Sequence, residues 1–262
     1  MGHQTAGGVP KTQKWDAVVA ELVGGSGFAR DDVGQIAART LDAAGPALEK
    51  AVDDPGLRYT FYLLTQMVLA ARQGDWQTHL ADVGIHLQEN SSIFDLTGQV
   101  QYAVDDYLLV HGQPSDISEM AQQAAGEALA GLAKDNSVTL FGAGGAELHT
   151  AIRDLSTSKG FSRLGQVFFG RFTERFLNFY LSRITAREVG SSRLPSVSDV
   201  SRFNDALQTH CEQSARIVRD FCGQWYSKTE YLEGIDLRNT SRFMAIALRK
   251  LSRELAKQRA EL

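Results

Sequence analysis

The sequence has little of what usually announces chemistry. Two cysteines stand in 262 residues, Cys211 and Cys222. They are eleven positions apart on what reads as one helix, which separates them by about 16 Å along its axis, beyond the roughly 7 Å between Cα atoms that a disulfide can span. No second Cys or His stands at zinc-ligand spacing from His149 or His210. His79, Asp82 and His86 share a face if HLADVGIH is helical, yet seven residues of helix set the two histidines about 10 Å apart, too far for one ion. No metal or other cofactor is therefore expected. No G-x-S-x-G elbow occurs, and Asp105 and Asp106, being adjacent, diverge by about 100° on a helix and make no carboxylate pair.

The string Gly142 to Glu147 (GAGGAE) places a carboxylate where a dinucleotide fingerprint needs its last small residue, and no strand–helix–strand unit surrounds it. It reads as a glycine-rich joint. Long apolar runs are also missing. The thirteen uncharged residues between Arg58 and Arg72 would span about 20 Å as a helix, short of the roughly 30 Å of a bilayer core. No apolar core follows the start MGHQTAGGVPK, whose Ala6 also departs from a myristoylation signal. A reducing, cytoplasmic setting is the expectation.

Proline is scarce, with five residues at positions 10, 46, 55, 114 and 195, and strand-like alternation is confined to Val138–Phe141. What remains is helical periodicity. The stretch Phe161 to Arg187 carries Phe168, Phe169, Phe172, Phe176, Leu177, Phe179, Tyr180, Leu181 and Ile184 around most of a helical circumference. Such a helix has to be wrapped by others, since one contact face would leave about half of these groups in water. The expected fold is thus all-α, a bundle of about ten helices around this segment. A tail over residues 1–10 precedes an acidic lobe over 11–135 and a basic lobe over 136–262, joined near 134–146. Helices are expected over Asp75–Leu87 and unbroken over Val197–Cys222, with a break near Gly45-Pro46 and an aromatic turn or short helix after Gly223.

The net charge of −4 hides an asymmetry: residues 1–135 hold 8 of the 27 Lys and Arg and 18 of the 31 Asp and Glu, a net −10, leaving +6 for the remainder. A basic half invites an acidic protein or a nucleic acid, although two halves of one fold can also attract each other. Its candidate partner or anion-binding residues are Arg171 and Arg175, on the single polar strip of the central helix with Asn178 and Ser182, then Trp225, Tyr226 and Lys228, and Arg249, Arg253 and Lys257 on the last helix. The arginine strip admits internal salt bridges, an anion groove or a contact between chains. With catalytic signatures missing, the expected function is non-enzymatic: an adaptor or subunit of a larger assembly, with the basic half as partner surface. The alternative is a nucleic-acid-binding accessory protein using the same half. A homo-oligomer stays open, as does an enzyme site assembled from distant side chains around Arg171 and Arg175.

Overall fold

A helix apolar on nearly every side needs neighbours on nearly every side, and the computed structural model supplies them. It describes residues 10–25, 28, 30–135 and 145–257, with eleven helices and no strand among them. In chain order these are α1 (Gln13–Val23), α2 (Arg30–Ala51), α3 (Pro55–Ala70), α4 (Trp76–Ala81), α5 (Ile93–His111), α6 (Asp116–Asp135), α7 (Gly145–Asp154), α8 (Ser158–Arg187), α9 (Val197–Ser214), α10 (Arg216–Leu232) and α11 (Leu237–Lys257). The all-α expectation holds. Most of the tail, the strand-like fragment and Gly142–Gly144 lie outside the described residues.

The aromatic segment is the body of α8, which starts three residues earlier than its apolar pattern because the Thr157 hydroxyl caps it by accepting from the Gly160 amide. Helices α6, α9 and α10 pack along α8, with α1 and α2 touching it as well. Phe161, Phe168, Phe169, Phe172, Phe176 and Leu177 are wholly buried. Phe61, from α3, enters this cluster with its ring centroid 5.3 Å from those of both Phe168 and Phe169 and 5.5 Å from that of Phe243 on α11. Each such ring buries some 150–250 Å². Their removal from water is the main reason that α3, α8 and α11 meet. Where α10 lies closest to α8, Gly165 leaves room for the Cys222 sulfur and Gly223 for Ser158 and Ser162; a Cβ at either glycine would overlap its neighbour.

Three boundaries differ from the sequence reading. Helix α2 runs through Pro46 without a break. The residue whose carbonyl the proline leaves without a helical donor is Asp42, an exposed residue, so the lost bond falls on the watered side. The helix expected over Asp75–Leu87 is only α4, Trp76–Ala81; Gly84 at φ 85° turns the chain away, and His79 and His86 share no helical face. The helix expected over Val197–Cys222 ends at Ser214, and α10 resumes after Ala215 and continues to Leu232, taking in the expected aromatic turn. A straight helix over that span would be about 39 Å long. The break lets both pieces lie against α8, and it puts Cys211 and Cys222 on different helices, each buried and unbridged.

Candidate functional site

Helix α11 is the most strongly two-faced element of the chain. Phe243, Met244, Ala247, Leu248, Leu251 and Leu255 are buried, at the 3 and 4 spacings that keep one stripe inward. The outward side carries Arg238, Arg242, Arg249, Lys250 and Arg253, all exposed, with Ile246 among them. Lys250 lies over the Phe221 ring, its Nζ 5.2 Å from the centroid. Arg249 and Arg253 make no ion pair among the described residues. They stand one turn apart on the rim of a groove of about 450 Å³ between α11 and α2. Leu48 of α2, Val52 in the turn just after it, and Ala245 and Leu248 of α11 line it, and Glu49 stands on the α2 side. The groove is open at the Gly45 end, where a Cβ would touch nothing within 4 Å. Of the sequence-predicted residues, then, Arg249 and Arg253 come together at a concave surface. The backbone of Lys257 ends α11, and its side chain lies outside the described residues.

Arg171 and Arg175 are placed differently. Their strip of α8 lies under α6 and beside α9. Arg175 bonds Glu127 and Gln123 of α6. The Arg171 Nε is 3.6 Å from the other Glu127 oxygen, and its Nη2 is 3.2 Å from Glu212 of α9. One carboxylate of the acidic half thus sits between two guanidiniums of the basic half. Asn178 donates to Glu174. Burial pushes the Glu174 carboxyl up, against the opposing pull of the Asn178 hydrogen bond and the nearby arginine charges. A neighbouring hollow of about 400 Å³ has Asp116, Glu119 and Glu174 in its walls beside Arg175, Asn178 and Phe179. Its carboxylates outnumber its guanidinium, which is the wrong balance for an anion.

Of the two α10 aromatics expected on a partner surface, Tyr226 faces inward and Trp225 is half-buried. The Tyr226 side chain is fully buried, stacked on Phe161 at 4.3 Å between centroids, with its hydroxyl donating to the Ser156 carbonyl at 3.3 Å. Burial raises its phenol well above the ordinary tyrosine range. The Arg72 guanidinium lies 5.2 Å from its centroid. Trp225 stacks on Phe243 at 4.3 Å and is half-buried. Lys228 alone of the three is exposed, with Tyr231 one turn on.

The sequence reading missed the α2 wall of the groove and the outer face of α5, where Tyr102, Leu109 and Val110 are 68%, 60% and 78% exposed. The α5 signal was present: IFDLTGQVQYAVDDYLLVH has more large apolar groups than one buried stripe holds. The α2 wall had none, because Leu48 and Val52 look like ordinary core positions until α11 is laid beside them.

Comparison with known protein families, with curated proteins and with solved structures gives no match to this chain. Among the described residues no helix is long and apolar enough to cross a membrane, and no three His, Cys, Asp or Glu side chains gather as a metal centre requires.

Proposed function

We propose that the chain is a non-enzymatic interaction protein, an adaptor or assembly subunit of the cytoplasm, whose partner surface is the outer side of α11 with the α2–α11 groove. The observation that carries this is the pair Arg249 and Arg253, exposed and without carboxylate partners among the described residues at the rim of an apolar groove. By contrast the arginines that line the interior of the fold are matched in three cases, Arg171 and Arg175 by Glu127 and Arg193 by Asp32. Unmatched cations beside an apolar cleft suit a segment that brings carboxylates and one or two apolar anchors, because the charges orient it and the anchors supply binding energy.

The test is crosslinking in the native cell followed by purification with and without nuclease. Defined protein partners that survive nuclease and are lost on Arg249→Glu with Arg253→Glu are the expected result. Recovery chiefly of DNA or RNA, released by moderate salt, would replace this reading with the nucleic-acid one. That alternative keeps the five exposed cations described on the outer side of α11, but of the rings it would stack on Tyr226 is buried in the aromatic core and Trp225 is half-buried against it.

A further inference from the structure

Helix α5 presents an outward stripe that no other described element covers. Tyr102, Asp106 and Leu109 follow at spacings of 4 and 3 and fall within about 60° of one another around the helix, with Val110 and Asp105 at its margins; all five are exposed. The Asp105 carboxylate accepts from Gln122 at 3.0 Å. Asp106 has no cationic partner among the described residues. Large apolar groups in water beside an unmatched carboxylate are the chemical complement of the α2–α11 groove, which offers an apolar floor beside unmatched guanidiniums.

We infer that the α2–α11 groove takes the α5 stripe of a second copy of this chain. The inference rests on the reading of that groove as a partner surface and names the partner. The lengths agree: Tyr102 to Val110 and Ala245 to Arg253 each cover about 12 Å of helix. Leu109 and Val110 then lie over Leu48, Val52 and Leu248, and Asp106 meets Arg249 or Arg253. Glu49 on the opposite rim fixes the direction, since the stripe keeps its carboxylates toward α11. Within one chain α5 packs on α3 and α6, while the groove is built from α2 and α11. The contact is therefore between unlike surfaces, and each copy that gives a stripe keeps its own groove for another. Association of this kind builds chains or closed rings, the smallest ring being two copies that each place a stripe in the other's groove. One helix face in one groove is a small interface, below the roughly 1,200 Å² of stable complexes, so the association is weak and grows with concentration.

Sedimentation velocity of the full chain over a concentration series is the test, at low and at physiological salt. The expected result is a weight-average sedimentation coefficient that rises with concentration, more steeply at low salt. Asp106→Lys alone, and Arg249→Glu with Arg253→Glu in a second variant, each weaken association by about tenfold or more, because like charges now meet. Leu109→Ser weakens it without changing its salt dependence. An equimolar mixture of the two charge variants associates again, since each supplies the charge that the other needs. All substituted positions are exposed, and circular dichroism of each variant is the control that its helices are kept. A wild type that stays monomeric throughout, variants that associate as the wild type does, or a mixture that stays monomeric would each overturn the inference. If the wild type is monomeric while Arg249→Glu with Arg253→Glu still loses a captured partner, the groove stands as a partner surface and the second copy is ruled out as its occupant.

Discussion

The Nη2 of Arg193 lies 3.0 Å from the Asp32 carboxylate, in the link between α8 and α9, with its guanidinium 4.4 Å from the centre of the Phe28 ring. The arginine side chain is only 8% exposed. This contact ties the link to the first turns of α2, 161 positions away in sequence. Arg193→Met is expected to lower stability by about 2 kcal/mol. That is less than the 3–5 kcal/mol of a fully buried pair, because the Asp32 side chain keeps some access to water. Arg193→Lys recovers little, as it lacks the planar fork that both bonds and stacks. Urea unfolding of the three proteins measures the order.

Glu127 serves two arginines at once. Glu127→Ala should therefore destabilise more than Arg171→Ala or Arg175→Ala does, by about 2–3 kcal/mol, since it leaves two half-buried guanidiniums short of their counter-charge. Equal losses for all three substitutions in denaturant titrations would show that the cluster does not act through Glu127.

Gly165→Ala should lose about 1–3 kcal/mol through overlap with the Cys222 sulfur, although alanine by itself favours a helix by about 1 kcal/mol. Combining it with Cys222→Ala should recover part of the loss, a non-additivity that a double-mutant cycle reads directly.

Both thiols are fully buried, and burial pushes each well above the ordinary cysteine range. Neither should react with a thiol reagent such as DTNB in the folded protein, and both should react in denaturant. Fast labelling of either one under native conditions would contradict the packing of α9 and α10 on α8.

His210 contributes acid sensitivity near neutral pH. Its Nε2 is buried with no hydrogen-bond partner among the described residues, and burial holds its pKa below the ordinary 6.5. The unfolded chain then takes up a proton from about pH 6.5 downward while the folded chain does not. Stability on this account is fully present above pH 6.5 and is lost as the pH falls through the folded value. Glu174, whose carboxyl is raised, acts in the opposite sense from its ordinary 4.5 upward. The informative quantity is thus the wild type compared with His210→Leu: the stability lost between pH 7.5 and 5.5 should be smaller in the variant.

The breaks of helices were less legible in the sequence than the helices themselves. The seam Val200, Phe203, Leu207, Cys211, Val218 and Phe221 keeps its spacing across Ala215, so periodicity sees nothing where α9 gives way to α10. Pro46 is the reverse case, a strong local stop overruled because the bond it forfeits faces water. For the candidate site, Arg249 and Arg253 stood out as charges on an amphipathic helix, whereas Leu48 and Val52 could not, because a groove belongs to two helices and only one of them was distinctive.

The sequence by itself determined an all-α fold, a buried α8, and a basic outer face on α11, because each follows from local periodicity and from the need to keep many aromatic rings out of water. Which charges were already matched inside the fold was decided only by tertiary structure. Arg171 and Arg175 look as available as Arg249 and Arg253 until α6 and α9 bring Glu127 and Glu212 to the first pair and nothing comparable to the second. Tyr226 likewise left the surface, and Trp225 left it in part, once α10 closed on α8 and α11. Charge pairing and burial depend on groups far apart in the chain, and their meeting is set by how the helices pack.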